Sequence, residues 1–153
     1  MDASLINPFI NATMNVLETM AFIKSGAGKP YLKKDKVAKG DVTGIIGLTG
    51  VANGTIAVTF EENAILKIVS NMFGEEMVSL NHEVADAVGE ITNMISGQAR
   101  RELEGLGRVF EAAIPSVVSG KDHEISHYTE GPVIAIPFKT EGGTFTIEVC
   151  LGD

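Results

Sequence analysis

Phe9, Ala12, Val16, Met20 and Ile23 recur at three- and four-residue spacing, which puts an apolar stripe along one side of a helix. Asn7 and Pro8 precede them, so the pattern predicts a first helix capped by Asn7, with Pro8 in its first turn and an end near Phe22. Residues 25–28 break the pattern, and residues 29–39 read as a basic, exposed stretch. Residues 41–50 and 55–60 then alternate, with Val42, Ile46 and Leu48 on one side of the first segment and Ile56, Val58 and Phe60 on one side of the second. Asn53-Gly54 between them predicts a hairpin with a type I′ turn.

Helical spacing returns over residues 61–73 (Ile65, Leu66, Val69, Met72, Phe73), with Gly74 as a C-terminal cap. Asn81 can cap a longer helix that runs to about Glu104 and ends near Gly105 and Gly107. Residues 109–118, 124–128, 133–138 and 144–151 read as strands, the last two forming a hairpin across Glu141-Gly142-Gly143. Phe145, Ile147, Val149 and Leu151 face the core, and Pro137, which has no N–H to donate, belongs at an edge or a bulge. Met14, Met20, Met72 and Met94 fall at helical spacing and read as core filler. This order predicts an α+β fold, a mostly antiparallel sheet with helices packed on one face. The helix–hairpin pattern at each end hints at an internal pseudo-twofold duplication.

At 153 residues the chain is expected to form a single domain over residues 1–153. Its 20 acidic and 12 basic side chains give a formal charge of −8, which argues against a nucleic-acid partner because phosphates call for a basic stripe. Cys150 is the lone cysteine, so an intramolecular disulfide and a CxxC pair are excluded. Residues 1–4 carry no basic leader and no apolar run is long enough to span a membrane, so the expectation is a cytoplasmic protein without a membrane partner.

The long predicted helix holds the chemistry. Val84, Val88, Ile91, Ile95 and Leu106 fall on one side, while Glu83, Asp86, Glu90, Asn93, Gly97 and Arg101 fall nearly opposite. Glu90 and Asn93 are neighbours one turn apart. Gly97 costs the helix about 1 kcal/mol relative to alanine, a cost that makes sense where another backbone comes close. By periodicity alone this face is also what any solvated helix presents.

The segment Asp86-Ala-Val-Gly-Glu90-Ile-Thr-Asn93-Met-Ile-Ser-Gly97 resembles the motif helix of the CheC, CheX and FliY family of chemotaxis phosphatases. Ile6-Asn7-Pro8-Phe9-Ile10 and the order of elements are similar to the CheX branch. CheC-type members carry a second Glu-x-x-Asn on the first helix. Here Glu18 is followed three residues later by Ala21, and Asn15 precedes it, so a single motif remains, as in CheX. Gln98 stands where asparagine is expected after Gly97 and keeps the amide.

The resemblance implies a substrate, the aspartyl phosphate of a CheY-like receiver, which brings its own Mg²⁺ and lysine. The phosphatase then needs no cofactor of its own. In that role Asn93 would hold a water for in-line attack, Glu90 would accept from the receiver's lysine, and Asp86, Gly97 and Arg101 would contact the partner. It also implies a homodimer formed partly by sheet continuation. A non-catalytic receiver-binding module would keep the same helix, and Asn93 favours the enzyme.

Other motifs point elsewhere. His123-Glu124-Ile125-Ser126-His127 matches HExxH, but zinc chemistry needs a helix there, and a strand would place surface histidines about 13 Å apart. Gly26-Ala27-Gly28-Lys29-Pro30 lacks the first glycine and the Ser or Thr of a phosphate loop.

Overall fold

The alternating segments pair into one sheet and the helical segments cover one of its faces. A computed structural model describes residues 3–152; Met1, Asp2 and Asp153 lie outside the described residues. The elements are α1 (Ala3–Ala21), β1 (Gly26–Ala27), β2 (Tyr31–Lys33), β3 (Val42–Gly50), β4 (Gly54–Phe60), α2 (Glu62–Phe73), α3 (His82–Gly105), β5 (Phe110–Ala112), β6 (Ser116–Ser119), β7 (Val133–Thr140) and β8 (Gly143–Leu151). Every pairing among them is antiparallel. The fold is α+β.

The strand order is β1-β7-β8-β4-β3-β5, with β2 also on β7 and β6 also on β3. That order is palindromic. If α1 through β4 is matched to α3 through β8, each half contributes a hairpin, and its short strands pair with the hairpin of the other half. β4 and β8 meet at the centre, with Val58 opposite Ile147 and Phe60 opposite Phe145. The two long helices carry a matching feature. Buried Thr13 donates to the Phe9 carbonyl at 2.6 Å and buried Thr92 to the Val88 carbonyl at 2.8 Å.

Alternation puts Ile46, Leu48, Ile56, Val58, Phe60, Ile136, Phe138, Phe145, Ile147 and Val149 against α1, α2 and α3 in one apolar core. Phe145 stacks on Phe138 at 4.9 Å and tilts toward Phe60 at 5.2 Å. The opposite face is covered by loops, where Ala38 and Ile125 pack on Ile45 and Ala57.

Several local expectations are corrected. Pro8 lies inside α1, which begins before Asn7, because Leu5 and Ile6 extend the apolar stripe by a turn and their burial offsets the lost hydrogen bond. The first hairpin has no two-residue type I′ turn: Leu48 pairs with Gly54, and the positive φ is at Gly50 (127°). Gly50 is taken up by pairing with Phe110 of β5, and the Val109 carbonyl occupies the space a side chain would need. Residues 109–118 form two strands because Pro115 interrupts the ladder between them. Residues 124–128 form no strand beyond a single bridge from Glu124 to Val37; Ile125 instead plugs the outer face of the sheet.

Pro137 stands at a bulge, as expected: Ala27 pairs with Phe138 but Tyr31 with Ala135, which leaves one extra residue on the β1–β2 side opposite Pro137. Its carbonyl accepts from Gly28 N–H at 2.7 Å, so its nitrogen faces the gap between β1 and β2, where no ladder bond is required. The basic stretch is not wholly exposed. β2 lies within it, and Lys33 is buried.

Candidate functional site

α3 begins where the Asn81 side chain accepts from Val84 N–H at 3.0 Å, with Glu83 in the first turn favouring the positive end of the helix dipole. Val84, Val88, Ile91, Ile95 and Leu103 are fully buried beneath it. Leu106, expected on that stripe, is 58% exposed, because the helix ends at Gly105 and leaves it out of phase.

Three contacts fix the height and heading of α3. Gly44 on β3 has no side chain, and Thr92 fills that space. Gly89 packs toward Val117 and Pro115, from which a Cβ would sit at 3.4 and 4.0 Å, ordinary contact distances. On the remaining flank Asn15 donates to Gln98 at 2.7 Å and Asn11 reaches Glu102 at 3.4 Å, so α1 runs antiparallel to α3. The amide kept at Gln98 therefore ties the two helices together.

On the outer side Asp86, Glu90, Asn93 and Arg101 are exposed and Gly97 is half-buried. They form one stripe about 22 Å long at 1.5 Å per residue. Among the described residues, no hydrogen bond or ion pair engages the side chain of Glu90 or Asn93. Asp86 has only an exposed His82 at 3.5 Å. A Cβ on Gly97 would meet nothing closer than Arg101 at 3.8 Å and Arg100 at 3.9 Å, so this chain itself does not require glycine there. The structure thus brings the five expected site residues onto one rigid, open face.

The profile of the CheX chemotaxis phosphatase family matches residues 42–139 of this sequence. The chain belongs to the CheX family. The CheY-P phosphatase CheX of Thermotoga maritima is 30% identical over 138 residues, covering 90% of this chain and 88% of that protein. A CheC-like superfamily protein from Shewanella sp. PV-4 is 47% identical over the full length of both chains, with a TM-score of 0.94. Borrelia burgdorferi CheX, solved as a CheX–CheY–BeF3–Mg²⁺ complex, is 28% identical over 97% of each chain, with a TM-score of 0.82.

Other features fall outside the CheX motif helix. His123 Nε2 lies 2.6 Å from Thr43 Oγ1 and His127 Nε2 lies 2.9 Å from Glu148 Oε1, in a segment that is not helical. The two imidazoles therefore serve different partners. His127 is not a surface residue, since its side chain is 7% exposed. Glu148 also receives Lys33 at 2.7 Å, completing a buried cluster that sequence reasoning missed. Burial works to raise the Glu148 carboxyl, but hydrogen bonds from His127 and Lys33 and their nearby charge outweigh it and hold the group below 4.5. Burial pushes the Cys150 thiol up, so it stays protonated. Residues 26–30 are β1 and its exit, with no helix following.

The methionines correct one expectation. Met14 and Met20 are 39% and 43% exposed rather than core filler, while Met72 and Met94 pack partly buried against the core and, with Met20, line an open groove beside Glu90. Among the described residues, no helix is long and apolar enough to cross a membrane.

Proposed function

We propose that this chain accelerates hydrolysis of the aspartyl phosphate on a CheY-like receiver domain in the cytoplasm. The observation that carries the reading is the pairing of Glu90 and Asn93, two unengaged polar side chains one turn apart on a helix pinned from below. Membership of the CheX family and the Borrelia burgdorferi complex with CheY support it.

In this reading Glu90 accepts a charge-assisted hydrogen bond from the receiver's lysine and sets the register of docking. Asn93 enters the receiver's site and orients a water, its carbonyl accepting from the water and its N–H₂ free to donate. The water oxygen forms a new bond to phosphorus as the bond to the aspartyl oxygen breaks. The receiver recovers its carboxylate, inorganic phosphate leaves, and the water's proton passes to phosphate or solvent. Mg²⁺ belongs to the receiver. Asn93 contributes through positioning and needs no ionised side chain, which suits phosphoryl transfer.

Rapid-mixing dephosphorylation of a phosphorylated CheY-like receiver tests this. Asn93→Ala should lose an acceleration on the order of 100-fold, about 2.7 kcal/mol, while still binding the receiver. Glu90→Ala should weaken binding. An Asn93→Ala protein as fast as wild type would refute the mechanism, and binding by wild type without turnover would leave a receiver-binding module. Two copies are further proposed to associate through a sheet edge, where β5 and β6 leave Val109 and Ile114 50% and 89% exposed. Sedimentation equilibrium reads that directly.

A further inference from the structure

We propose that the groove beside Glu90 is a second docking site for the receiver, shaped for an apolar side chain that stands next to a lysine or arginine. This rests on the reading above and adds a determinant of which receiver is accepted.

The groove has a volume of about 420 Å³ and lies where the three helices meet. Met20 comes from α1, Met72 and Phe73 from the end of α2, and Met94 from α3. Met20 and Phe73 are 43% and 44% exposed, a concentration of large apolar side chains in one concave place. Methionine thioethers adapt to varied shapes, which favours an incoming side chain over a rigid internal fit. α2 stops at Gly74, whose φ of 70° ends the helix. Residues 74–77 then lie in a different groove with Phe22 and Leu66, and none of them lines this one.

Two observations name the occupant. The groove is continuous with the motif face: Glu90 lines it, and Met94 is the residue after Asn93. A receiver held by Glu90 and Asn93 therefore overlies its edge. The rim is also acidic, with Glu83, Asp86 and Glu90 along one side, and only the exposed His82 near Asp86. An apolar residue beside a basic one complements both parts. A second copy bringing this same face would set acid against acid.

The test is the affinity of a CheY-like receiver loaded with beryllofluoride and Mg²⁺, taking the receiver that wild type dephosphorylates fastest. Met20→Gln should weaken binding about tenfold. Glu83→Gln should weaken it less and flatten its salt dependence. Met14→Gln is the control, because Met14 is 39% exposed on the same helix but does not line the groove. Equal affinities for Met20→Gln and Met14→Gln would overturn the proposal. So would a Met20→Gln change in self-association with receiver affinity intact, which would make the groove an interface between copies. If wild type turns over the receiver and Met20→Gln binds it normally, only the groove proposal falls. If wild type neither binds nor accelerates any receiver, the phosphatase reading falls with it.

Discussion

Thr92 on α3 occupies the space above Gly44 on β3: a Cβ built on Gly44 would lie 3.0 Å from Thr92 Cβ and closer still to its hydroxyl. The same hydroxyl donates to the Val88 carbonyl at 2.8 Å, so it cannot swing away without losing that bond. The residue two places after Glu90 and one before Asn93 thus seats the motif helix on the sheet.

Gly44→Ala should destabilise the protein by about 1–3 kcal/mol, the usual cost of overpacking a close-packed contact. Adding Thr92→Ala should recover part of that loss by making room. Urea unfolding of the single and double variants measures both effects, and equal midpoints for the two would contradict the contact.

Gly97→Ala should act in opposite directions on stability and function. The added methyl has open space around it, and alanine is favoured over glycine inside a helix by about 1 kcal/mol, so the free protein should melt higher. Receiver dephosphorylation should fall, because the added methyl stands on the face proposed to meet the receiver. Thermal melting and rapid-mixing kinetics on the same variant separate the two effects.

The Lys33–Glu148–His127 cluster predicts a dependence on pH as well as on mutation. Lys33→Met leaves Glu148 buried with one partner fewer and should cost about 3 kcal/mol. Lys33→Met with Glu148→Leu should cost less than the sum of the two single changes, because no unpaired charge remains. The Glu148 carboxyl is held below its ordinary 4.5, so the folded state binds its proton less readily than the unfolded chain does. Its contribution is therefore complete above 4.5 and is lost as pH falls through the lower folded value. Glu148→Gln should flatten the acid limb of a stability–pH curve measured by urea unfolding.

Phe22 closes α1 with a φ of 54°, a left-handed conformation costly for a side chain of that size. It is 78% exposed, while the next residue, Ile23, is buried and its N–H returns to the Leu17 carbonyl at 3.2 Å. The turn is held by the burial of Ile23. Phe22→Gly should raise stability by about 1 kcal/mol, read as a higher urea midpoint.

Periodicity was enough to find α2, α3 with its Asn81 cap, the core faces of β4 and β8, and the polar stripe from Asp86 to Arg101. Each depends on contacts a few residues apart, or on a face that points consistently inward, so the information is local. The resemblance of residues 86–97 to the family's motif helix added a role for that stripe.

Long-range pairing decided the rest. Lys33 reads as a solvated lysine until β2 lies against β7 and brings it to Glu148, 115 positions away. Residues 124–128 alternate like a strand, yet they cap the outer face because Ile125 finds Ala38, Ile45 and Ala57 there. Helical spacing gave the methionines an inward-looking period and Gly74 marked the end of α2, but neither could say that Met20, Met72 and Met94 would be left around an open groove where the three helices meet. The sequence determined which faces are apolar and where the motif stands on its helix. The tertiary structure alone decided which apolar faces are covered, because coverage depends on where distant elements end and what they meet.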